Sequence, residues 1–202
     1  MGLVSLFPRL ENNPRYDQEL LECRIIEREP FRIYSASGTL IREYPDLCEL
    51  DIPESDRPVI RNQIMEQYRE SDVAFSKTDL LLAAEYQFSE VRLIGRSYLF
   101  SVKPPEKNWP EPENLARQYD EILNHPDLIL LLERISNSPE IVENSWDPDI
   151  EIFQIRNDIV CKILSAVYGL DYQKTPYAGP SPAPGKAMGR RPLTAFSLWV
   201  DR

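Results

Sequence analysis

One imidazole, on His125, and three thiols, on Cys23, Cys48 and Cys161, are the only groups of their kind in 202 residues. A histidine-activated nucleophile or a zinc centre needs such groups in pairs or at fixed spacing. His125 stands between Asn124 and Pro126 at an expected helix junction, where capping is the simplest role. The cysteines are odd in number, far apart and in no C-x-x-C pair, which argues against a disulfide framework and against zinc. Cys161, next to Val160, reads as a buried packing thiol. The chain has no G-x-S-x-G, G-x-x-x-x-G-K-[ST] or G-x-G-x-x-G, and its seven glycines are too few for a glycine-rich phosphate cradle.

Carboxylates are what remains. Glu85 at the end of a helix, Glu90 at the start of a strand and Lys103 at the end of its hairpin could hold a divalent ion beside a lysine, as metal-dependent nucleases do. The competing reading is solvated charge at strand ends. Asp147, Asp149 and Glu151 are explained by the start of a helix, where acids cap free amides and complement the dipole. No cofactor is expected.

Composition narrows the classes further. With 42% hydrophobic and 28% charged residues the chain should fold as one globular domain with an appendage. A net charge of -10 repels phosphate on average, which disfavours nucleic acid without excluding a local basic patch. The N-terminal MGLVSLFPRLENN lacks a basic lead, a small-residue cleavage site and the myristoylation pattern, and no run reaches the length of a membrane span. A soluble protein of the cytoplasm or nucleus is expected.

The element that should position the rest is Asp147 to Leu170. Ile152, Ile155, Ile159, Ile163 and Ala166 form one apolar row at helical spacing, and Phe153, Val160, Leu164 and Val167 form a second beside it. Asp147 and Pro148 mark the start and Gly169 the stop. Upstream, Tyr16 to Glu29 reads as helix running into strand. Phe31 to Ala36 and Thr39 to Tyr44 flank a two-residue Ser37-Gly38 loop, with Arg32 opposite Glu43 and Phe31 opposite Tyr44. A helix from Ser55 or Asp56 is expected to carry Ile60, Ile64 and Tyr68 on one face, and Ser76 or Thr78 should cap the helix that follows. A second hairpin turns at Gly95-Arg96 in a type II′ geometry, pairing Leu93 with Tyr98 and Val91 with Phe100.

Lys103 to Pro112 is too rich in proline for regular structure and forms a seam between a sheet-containing half, 1–103, and a helical half, 113–170. Leu115, Tyr119 and Ile122 share a face of the next helix, and DLILLLERI should be a deeply buried one. Residues 171–192 hold five prolines and read as a basic, Pro/Gly-rich linker to a terminal strand within 193–202, where Phe196, Leu198 and Val200 alternate. The fold class is α+β, with antiparallel hairpins in a small sheet packed by helices.

The missing catalytic constellation and the tail point to a non-enzymatic interaction protein, a regulator or assembly factor whose partner is another protein. Trp109 in the seam, Pro182, Pro184 and Lys186 in the PSPAPGK segment, Arg190, Arg191, Phe196 and Trp199 are the candidate partner-binding residues. Metal-dependent hydrolysis through Glu85, Glu90 and Lys103 is the alternative, and RNA binding through the basic tail the third reading.

Overall fold

The computed structural model of the chain describes residues 31–44, 52–69, 71–106, 108–145 and 147–177. The expected elements within 16–29 and 193–200, together with Cys23, Cys48, Trp146, Pro182, Pro184, Lys186, Arg190, Arg191, Phe196 and Trp199, lie outside the described residues.

Strands β1 (Phe31–Tyr34), β2 (Leu40–Tyr44), β3 (Ile64–Tyr68), β4 (Glu90–Ile94), β5 (Tyr98–Lys103) and β6 (Asp171–Pro176) form one six-stranded sheet in the order β2-β1-β3-β4-β5-β6. Only β3 and β4 are parallel; the other pairs are antiparallel. The described helices are α1 (Arg57–Ile60), α2 (Lys77–Tyr86), α3 (Pro112–Leu123), α4 (Pro126–Ser136), α5 (Pro139–Asn144) and α6 (Pro148–Tyr168). Helix content is concentrated in the C-terminal half, and the fold is α+β. Among the described residues, no helix is long and apolar enough to cross a membrane.

Strand alternation decides which face the helices take. Phe31, Ile33, Met65, Val91, Leu93, Phe100 and Val102 point to one side, where they merge with Leu80 and Ala83 of α2, Leu115 and Tyr119 of α3, and Val160 and Leu164 of α6. α6 starts as its sequence requires, with Asp147 Oδ1 accepting the Ile150 amide at 3.3 Å, and ends at Gly169 with φ 70°. Of its two apolar rows it is the second that supplies the buried residues Phe153, Val160 and Leu164, whereas Val167 of that row and Ile163 of the first are exposed. α2 begins with a reciprocal capping box: Ser76 Oγ accepts the Asp79 amide at 3.2 Å, and Asp79 Oδ2 accepts the Ser76 amide at 2.7 Å.

The structure corrects six local expectations. Ile60, Ile64 and Tyr68 do not share a helix, because α1 stops at Ile60, Asn62 takes a left-handed φ of 60°, and Ile64 and Tyr68 lie in β3. A spacing of four residues suits either a helical stripe or one face of a strand, and here the sheet takes it. The second hairpin is displaced by two residues, with Leu93 opposite Phe100 and Val91 opposite Val102, so every side chain keeps its face. Gly95 lacks the positive φ of a type II′ turn. It is glycine because an added Cβ would collide with Asp72 Oδ1, which accepts the Ser97 and Tyr98 amides at 2.8 and 3.2 Å. The first hairpin keeps Arg32 opposite Glu43 and Phe31 opposite Tyr44, but a bulge after Ile33 sets Tyr34 opposite Leu40 and lengthens the loop. α4 is an outer-layer helix rather than a deeply buried one: Leu128 is buried, but Leu130 is 50% exposed. Finally, residues 171–176, expected as the start of the linker, are the edge strand β6.

Candidate functional site on the open face of the sheet

The register that buries Phe31, Met65 and Leu93 turns Arg32, Glu66 and Arg92 to the opposite face. Pairing carries one row across all six strands: Glu43, Arg32, Glu66, Arg92, Ser101, Gln173. Its first four members alternate in sign, as neighbouring strands favour. Arg32 Nε donates to Glu43 Oε2 at 2.6 Å, and Arg92 Nη1 lies 4.0 Å from Glu66 Oε2. Arg92 also donates from Nε and Nη2 to the two oxygens of Glu90, at 2.8 and 3.0 Å, a bidentate grip within one strand. Lys103 Nζ reaches Glu90 Oε2 at 4.0 Å.

Apolar and aromatic side chains flank this row. Tyr34 and Ile64 lie on one side of it, and Tyr68, Ile94 and Leu99 on the other. Ile64 and Ile94 are 9% and 6% exposed, yet neither belongs to the cluster shared with the helices. The Arg32 guanidinium sits 6.0 Å from the centre of the Tyr68 ring. Electrostatics follow from this crowding. Burial pushes the Glu66 carboxyl up from its ordinary range, against the pull of Arg92 and Arg32. Burial likewise raises the Tyr68 phenol, with the neighbouring Tyr177 phenol acting in the same direction. The hydrogen bond and charge of Glu90 raise Arg92, and those of Glu43 raise Arg32.

The sequence-derived candidates are only partly gathered here. Glu90 and Lys103 meet on this face, because the two-residue displacement of the hairpin brings them opposite each other. Glu85 is elsewhere, at the end of α2, bonded to Arg57 at 3.0 Å. Among the described residues, no group of three or more histidine, cysteine or acidic side chains could hold a metal ion. His125 caps α4, its Nδ1 accepting the Asp127 amide at 3.3 Å. Cys161 is buried, its thiol donating to the Phe75 carbonyl at 3.6 Å, and burial pushes its pKa well up. Trp109 is 5% exposed and donates its indole N–H to the Phe88 carbonyl at 2.6 Å, so its ring plugs the seam. A shallow groove of about 490 Å³ lies beside it, bordered by Pro105, Asn108, Glu111, Arg117 and Tyr168.

Arg32, Glu66 and Arg92 were not singled out by residue type or motif. Their signal is positional: each stands between core residues of a strand, and they align only once β3 is known to be a strand. Chemically the face offers paired charges, phenol hydroxyls and aliphatic surface, the ingredients of recognition. Comparison with protein-family models, with curated proteins and with solved structures returns no match.

Proposed function

We propose that this chain is a non-enzymatic protein-binding protein, a regulator or assembly factor, that receives its partner on the open face of the sheet. One observation carries the reading: among the described residues the helices pack on one side, and the other side bears a paired charge row between two apolar flanks. Single exposed charges would suffice for solubility. Ion pairs set among the half-buried Leu99, Tyr34 and Tyr68 instead provide orientation and contact area together, whereas Ile64 and Ile94 are buried and add little. The guanidinium groups already engage carboxylates of the same face, which favours a protein ligand over a phosphate backbone.

Size refines the partner. Five strand spacings by about five residues give a face of roughly 24 by 16 Å, or about 400 Å². That is half of the about 800 Å² a partner contributes to a standard interface. The face suits one helix or one extended segment rather than a whole domain. The three cysteines fit a reducing compartment, the cytoplasm or nucleus.

The test replaces Ser101, in the middle of the row, with the photo-cross-linking residue benzoylphenylalanine, with the same residue at exposed Glu121 of α3 as control. Irradiation in native lysate should give a discrete protein adduct from position 101 and none from 121. No adduct from 101, or a substrate turned over by the purified protein and lost on one substitution with folding intact, would reject the reading.

A further inference from the structure

We infer that a second copy of this chain docks on the outer face of α6, the two helices lying antiparallel about a two-fold axis with Ile155 of each beside Ile159 of the other. α6 carries apolar side chains on two sides. At about 100° per residue its buried residues, Phe153, Asn157, Val160, Cys161 and Leu164, centre about 140° away from Ile152, Ile155, Ile159 and Ile163. A surface helix ordinarily turns charge, not isoleucine, away from the core. Exposure rises along the outer row, from the half-buried Ile152, Ile155 and Ile159 to Ile163 and the adjacent Val167, at 37% and 52%. The helices packed against α6 share this character: of the seven large apolar side chains exposed among the described residues, Leu130 and Leu131 stand on α4 and Val142 on α5.

The order of residues along α6 selects a second copy as the occupant. Antiparallel pairing that sets Ile155 level with Ile159 of the second copy brings Ile152 within one residue of the level of Ile163, and the two-fold makes each contact twice. In the same register Glu151 comes within one residue of the level of Lys162 of the second copy. Glu151 and Lys162 flank the isoleucine row on the same side, about 20° apart around the helix, so two symmetric ion pairs close that edge. Lys162 is available for this: its side chain is 45% exposed, with Nζ 3.4 Å from Asp158 Oδ2 on the same edge. Opposed helix dipoles favour the antiparallel arrangement as well.

The axis falls at the level of Asn157, near the middle of a helix of 21 residues, so the pair overlaps along almost its whole length, about 28 Å. With a width of about 10 Å that contact covers about 280 Å² of each copy, below the about 800 Å² of a standard interface, and the dimer is a weak, concentration-dependent one. α6 packs on the helix-covered side of the sheet, so the dimer leaves the open face free and stands independently of the proposed function.

Sedimentation equilibrium of the intact chain, in a concentration series reaching about 200 μM, reads the mass directly. It should rise from the 23.5 kDa of one chain towards twice that value. Ile163→Glu should weaken the dimer by about tenfold or more. Glu151→Lys and Lys162→Glu should each weaken it by about three- to tenfold, because like charges then meet in both pairs. An equimolar mixture of those two variants should regain wild-type affinity, since each pair then joins opposite charges; circular dichroism melts check that every variant is folded. If Ile163→Glu does not fold, the mixture decides alone. A mass of one chain at every concentration, growth beyond two copies, a dimer undiminished by folded Ile163→Glu, or a mixture no tighter than either charge variant by itself would overturn the inference.

Discussion

Arg69 and Asp79 make the sharpest stability prediction. Arg69 Nη2 lies 2.6 Å from Asp79 Oδ1, with side chains 3% and 10% exposed, at the point where the chain passes from β3 towards α2. The other Asp79 oxygen holds the Ser76 amide in the capping box. Asp79→Ala leaves a buried guanidinium without its counter-charge, at a cost of about 3–5 kcal/mol. Loss of the reciprocal half of the box, the bond from the Ser76 amide, adds about 1 kcal/mol, while Ser76 Oγ still accepts the amide of residue 79. The sum, about 4–6 kcal/mol, is a large part of the about 5–15 kcal/mol that holds a domain of ordinary stability. Asp79→Asn keeps an oxygen for Ser76 and should fall between wild type and Asp79→Ala. The double variant Arg69→Met with Asp79→Leu removes both charges and should lie within about 2 kcal/mol of wild type, the remainder being mainly the unpaired Ser76 amide. Urea unfolding followed by tryptophan fluorescence and circular dichroism measures all four proteins. A loss under about 1 kcal/mol for Asp79→Ala, or a double variant no better than the single, would mean that Arg69 does not depend on Asp79 for its counter-charge.

Three further outcomes follow from the same packing. Gly95→Ala should cost about 1–3 kcal/mol by forcing Asp72 aside, and Asp72→Ala a similar amount through two lost amide bonds. The pair together should cost less than the sum in thermal melts, because removing the carboxylate opens the space the new methyl needs; strict additivity would contradict this. Burial, with Asp158 bonded at 2.6 Å, drives the Tyr172 phenol far up, so the folded state keeps a proton that the unfolded state releases near its ordinary pKa of about 10. Stability should be fully present below about pH 10 and fall as pH rises further, with a shallower fall in Tyr172→Phe that remains finite because Tyr44 is shifted the same way. An unchanged slope in that variant would remove Tyr172 from the account. Cys161 should resist iodoacetamide in the native protein at about pH 8 and react once urea unfolds it, as peptide mapping would read; rapid native labelling would mean that the thiol is not buried.

Elements whose signals are local were legible from the sequence. The α6 helix has an acid, a proline and a glycine at the places where caps are needed, and the cap at Ser76, one of two candidates with Thr78, and the Arg32–Glu43 pairing rest on neighbours in one element or one hairpin. What failed depends on contacts distant in sequence. Ile64 and Tyr68 are strand residues because β3 sits between β1 and β4, which no window around them reveals. Gly95 is fixed by Asp72 of another loop, and its hairpin shifted register without changing faces. Leu130 and Leu131 looked buried because leucine density says nothing about which layer a helix occupies. The candidate face was the least legible part. Its residues are ordinary arginines and glutamates until six strands are ordered and their registers align them.

Capture from native lysate by the intact chain, beside Leu99→Glu on the open face and Glu121→Lys on α3, reads partner binding at this face once melting curves show all three equally folded. A partner should be held by the intact chain and by Glu121→Lys, and weakened by about tenfold or more in Leu99→Glu, where a new charge would be buried in the contact. A partner retained equally by all three proteins would contradict binding at this face.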